Sequence, residues 1–294
     1  IFDCFMYYDE ELILDLRLNL LNDYVDKFII VESSYTHSGE TRKPLFDIKK
    51  YSKFKNKIIY ILLEDLPADL FAIDEKDSID SKNSKFILNA VKRENLQRDT
   101  LVRGIKSAAS EDLILVSDVD EIPDLETNNL KDVKNKIILF KQKFFYYKFN
   151  LELNNFPWYG SKACKKKNLI SPQWLRNVKD KIYPLWRLDT LLSRKKYQNV
   201  RIIEKGGWHF SNLKTPADIE KKMKTYLHHR EYELNPIGEK KINEIIEEKK
   251  PIYNLKTDMK SNKFELSDEL TTVDIVELPY YLQKNIDKYK EWLN

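Results

Sequence analysis

Four apolar residues in a row, Leu113-Ile114-Leu115-Val116, run straight into Ser117-Asp118-Val119-Asp120-Glu121. Such a run leaves no polar face for water, so it suits a central parallel strand covered on both sides. It is the fourth strand signal in a regular series. FDCFMYY (2–8) reads as a short buried strand, and EELILDLRLNLLNDY (10–24) as a helix with Leu12, Leu16 and Leu20 on one face. KFIIVE (27–32) and KIIYILL (57–63) are further strands, Ser84 to Ala109 is helical, and DLILVSDVDEIP (112–123) is the fourth strand. This βαβ alternation predicts an α/β fold: a mainly parallel central sheet with helices on both faces.

The second half is less regular. KIILFKQKFFYYKFN (136–150) reads as two strands meeting near Gln142, and RIIEKGGWHFS (201–211) as a strand ending in a turn. From Pro216 onward the pattern is helical, with Thr215 as cap, and PYYLQKNIDKYKEWL (279–293) is another amphipathic helix. The expected organisation is a catalytic domain over 1–215 with a helical C-terminal appendage, 216–294, packed on it.

A hydrophobic content of 42% against 33% charged residues is that of a folded globular chain rather than a disordered one. The net charge of +4 is too small an excess to imply nucleic acid, although a local basic surface would still attract anionic substrates or lipid head groups. Two cysteines, Cys4 and Cys164, and no N-x-[ST] sequon favour a reducing, cytoplasmic setting, with the cytoplasmic face of a membrane as a variant of it. No apolar run reaches membrane-span length, and the start at Ile1 leaves room for a trimmed N-terminal anchor.

Ligands of open α/β sheets bind at the carboxyl ends of the strands, where Asp118 and Asp120 emerge. In extended chain, residues i and i+2 point the same way, so both carboxylates converge on one cation. Hard carboxylate oxygens suit Mg²⁺ or Mn²⁺, ions that bridge protein acids to a diphosphate. A plain acidic surface turn would leave clustered carboxylates repelling one another. A calcium loop of the EF-hand kind fails, because Ile122 and Pro123 stand where an oxygen ligand and a glycine are needed. A phosphatase of the haloacid-dehalogenase type, with Asp118 as nucleophile, is the rival enzyme; a non-catalytic carbohydrate-binding protein is the rival from outside enzymology.

Three further segments sit where ligands would be. In GGWHFS (206–211) two glycines permit a turn beside a ligand, and His209 offers an imidazole to the same cation, tilting it towards Mn²⁺. VESSYTHSGETRKPL (31–45) follows an apolar strand, so Glu32 is placed to accept hydrogen bonds from a nucleoside, or else its loop simply caps itself. In KRENLQRDTLVRG (92–104), Arg98 is a phosphate-binding candidate, while its i,i+4 partner Glu94 offers a salt bridge instead. Trp158 and Trp208 can stack on the acceptor sugar or serve as core.

These stretches, together with LPYYLQKN (278–285) and HREY (229–232), resemble glycosyltransferase family 17 in order along nearly the whole chain. The combination of SDVDEIP with GGWHFS carries the resemblance. It implies a GT-A type fold, a nucleotide-sugar donor (a UDP-sugar carrying GlcNAc or another hexose), a carbohydrate acceptor, a divalent metal and inversion at the anomeric carbon. By position, Asp118 and Asp120 are the D-x-D acids, with Asp118 also touching the donor, and His209 the added metal ligand. The acceptor hydroxyl then needs a carboxylate as general base. Asp189 in YPLWRLDT is the first choice, with Glu152 and Glu231 open and His229 near the same cleft.

Overall fold

The structure, a computed structural model, describes all of the chain except residues 131–132, 185, 227–228 and 254–268, and except the side chains of Leu191 and Glu231. The first half runs β1 (Phe2–Tyr7), α1 (Glu11–Leu21), β2 (Lys27–Ser33), β3 (Ile58–Leu63), α2 (Ile79–Thr100) and β4 (Leu113–Asp118). There follow β5 (Glu121–Pro123), β6 (Ile137–Phe140), β7 (Lys143–Tyr146), β8 (Leu151–Glu152), β9 (Lys162–Lys165), α3 (Pro172–Arg176), α4 (Asp189–Leu192), β10 (Val200–Ile203) and β11 (Gly207–Ser211). The C-terminal part holds α5 (Pro216–Thr225), α6 (His229–Leu234), α7 (Gly238–Glu247), β12 (Thr271–Thr272), α8 (Tyr280–Lys284) and α9 (Ile286–Tyr289).

A large sheet has the order β10-β6-β9-β4-β1-β2-β3, and β1 to β4 are mutually parallel within it. β9 lies antiparallel between β4 and β6 and is the reversed strand of a sheet that is otherwise parallel, so the sheet is mainly parallel as expected. Strand periodicity sends alternate residues of β1 and β2 to opposite faces. Phe5, Phe28 and Ile30 meet the buried Leu14, Leu16 and Leu18 of α1, along with Leu282 and Tyr289 from the C-terminal helices. Cys4, Ile29 and Val31 meet Leu101, Ile105, Trp174 and Leu175 on the other side. Helices therefore cover both faces, as the alternation predicts.

A second sheet, β12-β8-β7-β11-β5, is what periodicity alone does not predict. The strand signals in 112–123 and 201–211 each break in two, and 136–150 holds the two strands expected of it, on either side of Gln142. The first halves, β4, β6 and β10, stay in the large sheet, and the second halves, β5, β7 and β11, enter the small one. At one crossing Gln142, 1% exposed, exchanges backbone bonds with Trp158 at 2.7 and 3.1 Å. At another, Gly207 has φ +119°, and a Cβ there would lie 2.2 Å from the Ile122 carbonyl oxygen and 2.6 Å from the Asp124 nitrogen. Both obstacles are backbone, so Gly207→Ala is expected to destabilise the fold by about 1–3 kcal/mol, read as a lowered urea midpoint at constant m-value.

The helices after residue 215 pack in two places. Ile219, Met223, Ile242 and Ile245 of α5 and α7 close over Phe144, Tyr146 and Leu151 of the small sheet, while α8 and α9 return to α1. Part of the expected helical region, 254–268, lies outside the described residues.

Candidate active site

The acidic turn is built from below. Asp3 interrupts an apolar strand and Arg17 an apolar helix, and both are fully buried. They form a two-pronged ion pair, Arg17 Nε to Asp3 Oδ2 at 2.8 Å and Nη2 to Oδ1 at 2.6 Å. The remaining Nη1 donates to the carbonyls of Asp118 (3.2 Å), Val119 (3.3 Å) and Glu121 (2.7 Å). One guanidinium thus ties β1 and α1 to the backbone between β4 and β5, satisfying carbonyls that no strand partner can reach.

Above that bolt the carboxylates are held separately. β4 ends at Asp118, and residues 119–120 form a turn, so the strand period that would align Asp118 with Asp120 stops between them. Asp118 instead accepts from Arg98 Nη2 on Oδ1 and from Arg176 Nη2 on Oδ2, both at 2.9 Å. Burial opposes its charge, but Arg176 and then Arg98 outweigh burial and hold the carboxyl well below the usual range. Arg176, at the C-terminal end of α3, also forks onto Glu121, at 2.8 Å to Oε2 and 2.7 Å to Oε1. Glu121 is fully buried and further accepts from the Asp118 amide (2.7 Å) and the Trp158 indole (2.6 Å).

Asp120 faces His209 of β11, with Oδ2 and Nε2 3.5 Å apart. Trp158 stacks on that imidazole at 4.9 Å and Phe144 meets it edge-on at 4.3 Å, so its orientation is set by packing. Its Nδ1 is buried with no hydrogen-bond partner. Burial raises the Asp120 carboxyl and His209 more than offsets this, leaving it below the usual range. A gap of 3.5 Å is longer than a hydrogen bond between such groups and close to the spacing of neighbouring ligands around one small cation. A carboxylate oxygen beside an imidazole nitrogen suits Mn²⁺ over Mg²⁺, so these two residues fit a divalent ion. Among the described residues no three His, Cys, Asp or Glu side chains form a ready-made metal set.

Beside Asp120 lies a cleft of about 350 Å³, bordered by Asp9 and Glu10 after β1, by Asn212 and Lys214 after β11, and by Lys222 of α5. Lys214 pairs with Asp9, and Lys222 donates to Asn212 at 3.1 Å. Asn212 is held at φ +54°, a left-handed conformation that turns the chain from β11 towards α5.

The other expected site residues sort by surroundings. Arg98 joins the cluster, bonded also to Glu94 (2.8 Å) and Gln173 (2.6 Å). Trp158 joins it through His209. Trp208, one residue along β11, points the opposite way and donates to the Glu277 carbonyl at 3.2 Å. Glu32 is fully buried and spends both oxygens on its own loop, on the amides of Leu45 and Phe46 and on Tyr60 and Arg42. The alternative in which that loop caps itself is the one its geometry matches. Asp189 stands on α4 between Arg187 (2.6 and 2.8 Å) and Lys196 (2.7 Å), which hold it well below the usual carboxylate range. A proton acceptor needs the opposite perturbation. Glu152 pairs with Lys143 at 3.2 Å, and His229 is buried with Nδ1 2.9 Å from the Tyr226 carbonyl. The Glu231 side chain lies outside the described residues.

Sequence reasoning missed Arg17, Arg176 and His37. His37, in the loop after β2, reaches Gln97 at 3.2 Å; burial lowers its pKa against the opposing pull of Glu94. Asp3 carried a usable signal, since a lone charge on an apolar strand implies a buried partner; Arg17 shares its helix with Glu11 and Asp15 and did not stand out. Arg176 carried none, because α3 is distant in sequence from everything it binds.

The α/β scaffold gathers acids at the carboxyl ends of parallel strands, beside a cleft lined by both acids and lysines. A family model described as glycosyltransferase family 17 matches residues 1–177, more than half of the chain, and the chain belongs to that family. It is similar to the human and rat β-1,4-mannosyl-glycoprotein 4-β-N-acetylglucosaminyltransferases, each 25% identical over 115 residues, and to the mouse protein of that name at 24%. The matched stretch covers 38% of this chain and 19% of each relative. The protein is accordingly a glycosyltransferase. A phosphatase acting through Asp118 loses its ground as well: with a guanidinium on each oxygen, that carboxylate is a poor nucleophile.

Proposed function

We propose that this glycosyltransferase has a GT-A type fold and moves GlcNAc or another hexose, with inversion, from a UDP-sugar to a carbohydrate acceptor. We place the catalytic unit at residues 1–215 and treat 216–294 as a helical appendage to it. One observation carries the proposal: Asp120, in the turn between β4 and β5, faces His209 of β11 at 3.5 Å beside the cleft. Asp120 and His209 would hold Mn²⁺ or Mg²⁺ there, and a bound cation supplies charge neutralisation to the departing diphosphate.

The chain's own residues do the rest. Arg98 and Arg176 keep Asp118 ionised and fixed at the rim of the donor site, and Glu121 locks Arg176 in turn. Lys221 and Lys222 border the cleft, and Lys214 is paired there with Asp9, so a bound cation would supply the charge that the donor's phosphates need among these acids. Trp158, itself stacked against Phe156, holds the His209 ring in place. The acceptor's proton passes to a carboxylate of the cleft; Glu10 and Asp218 border it without the two basic partners that hold Asp189, whereas Asp9 is paired with Lys214.

Calorimetric titration of UDP, GDP and CMP, each with and without Mn²⁺, tests the proposal. UDP is expected to bind at least about tenfold more tightly with the ion, since charged diphosphate contacts through a cation are worth more than 1.4 kcal/mol. EDTA should abolish donor turnover and Mn²⁺ restore it. Equal UDP binding with and without the ion removes the metal assignment.

A further inference from the structure

Between α3 and β10 the chain makes an excursion, residues 179–196, that inverts the usual arrangement of a surface segment. Its polar groups are satisfied within it or at its neck. Lys179 donates to the Lys195 carbonyl at 2.8 Å, and the Trp174 indole to that of Arg194 at 2.6 Å, closing the base. Inside, Thr190 Oγ1 donates to the Arg187 carbonyl at 2.6 Å and accepts from Gln198 Nε2 at 2.9 Å, while Asp189 is clamped by Arg187 and Lys196. Four large apolar side chains point outward instead, while Tyr183 is buried. Trp186 is 75% exposed, Leu188 72%, Leu192 93% and Ile182 53%. Isolated exposed hydrophobics are ordinary, but four large ones on one braced excursion mark a contact surface.

Charge decides what the surface meets. The excursion carries six basic residues against two acidic ones, an excess as large as the +4 of the whole chain. Both acids are already used: Asp180 by the buried Lys162 at its base, and Asp189 by Arg187 and Lys196. Protein partners of apolar patches do not demand such a positive rim, whereas the anionic face of a bilayer does, and it also takes tryptophan and leucine at head-group depth. We infer that residues 179–196 form a membrane-surface docking element, in which Trp186, Leu188 and Leu192 enter the interface of an anionic bilayer and the surrounding lysines and arginines contact its head groups. The inference is independent of donor, acceptor and metal.

The test uses the purified chain with vesicles of phosphatidylcholine alone and of phosphatidylcholine containing phosphatidylglycerol. Co-sedimentation is expected with the anionic vesicles, weakened by high salt and accompanied by a blue shift of tryptophan fluorescence. The exposed-position variant Trp186→Ser/Leu188→Ser/Leu192→Ser should lower the bound fraction about tenfold or more, and Lys181→Glu/Lys195→Glu should do so only for anionic vesicles. Circular dichroism checks that both variants stay folded. The inference is overturned if the wild type ignores both kinds of vesicle, or if the triple variant binds as well as the wild type. It is equally overturned if the patch instead drives concentration-dependent self-association, seen by sedimentation velocity and lost in the triple variant, with no vesicle binding.

Discussion

Asp120→Ala is expected to lower metal-dependent donor turnover by about a thousandfold or more, because it removes the carboxylate assigned to hold the diphosphate's counter-ion. The fold should survive. Among the described residues the Asp120 carboxylate is paired with His209 alone, at 3.5 Å, and the backbone bond from the Phe210 amide to its carbonyl, 2.9 Å, is untouched. Initial rates across a Mn²⁺ titration, paired with a urea melt, separate the two effects. Loss of turnover with an unchanged melt supports the assignment. Undiminished turnover places the cation, or the chemistry, elsewhere.

Arg17→Met should be the most damaging single change to stability. It leaves Asp3 as an unpaired carboxylate at zero exposure and takes the Arg17 donor from the carbonyls of Asp118, Val119 and Glu121, of which the last keeps Ser161 Oγ. Breaking a buried pair by removing one partner typically costs about 3–5 kcal/mol, a large share of the net stability of a chain this size. Asp3→Asn added to Arg17→Met should recover part of that loss, since the uncompensated charge is gone while the carbonyls still lack the Arg17 donor. Urea midpoints of the single and double variants measure it. If the single variant unfolds like the wild type, Arg17 does not bear the acidic turn.

Much of the large sheet was legible in the chain. β1, β2, β3 and β4 lie within a residue or two of their apolar runs because a strand buried on both faces must be apolar throughout, and no other local structure uses that pattern so economically. The helix expected over 84–109 instead spans Ile79–Thr100 and continues as a 3-10 turn through Ile105; its start is set by the Ser78 side chain accepting from the Ser81 amide. The division of three strand signals between two sheets was not legible. Alternation reports only which face of a strand is covered, not which neighbour covers it.

The site follows the same division. Residues adjacent in sequence, Asp118 and Asp120, could be named from their position after an apolar strand, and family resemblance added His209. What those residues do depends on groups brought from far along the chain: Arg17 from α1, Arg98 from α2, Arg176 from α3 and Trp158 before β9. Glu32 and Asp189 stood in suggestive places, yet the fold gives each of them an internal ionic or hydrogen-bonded partner.

By itself the sequence determined the parallel β1–β4 core and the point where acids leave it, since apolar periodicity and a sudden cluster of carboxylates are local properties. Only the tertiary structure decided that Asp118 turns to two guanidiniums while Asp120 turns to His209. Side-chain direction past the end of a strand is set by which distant charges arrive there, and those arrivals are a consequence of packing, not of spacing along the chain.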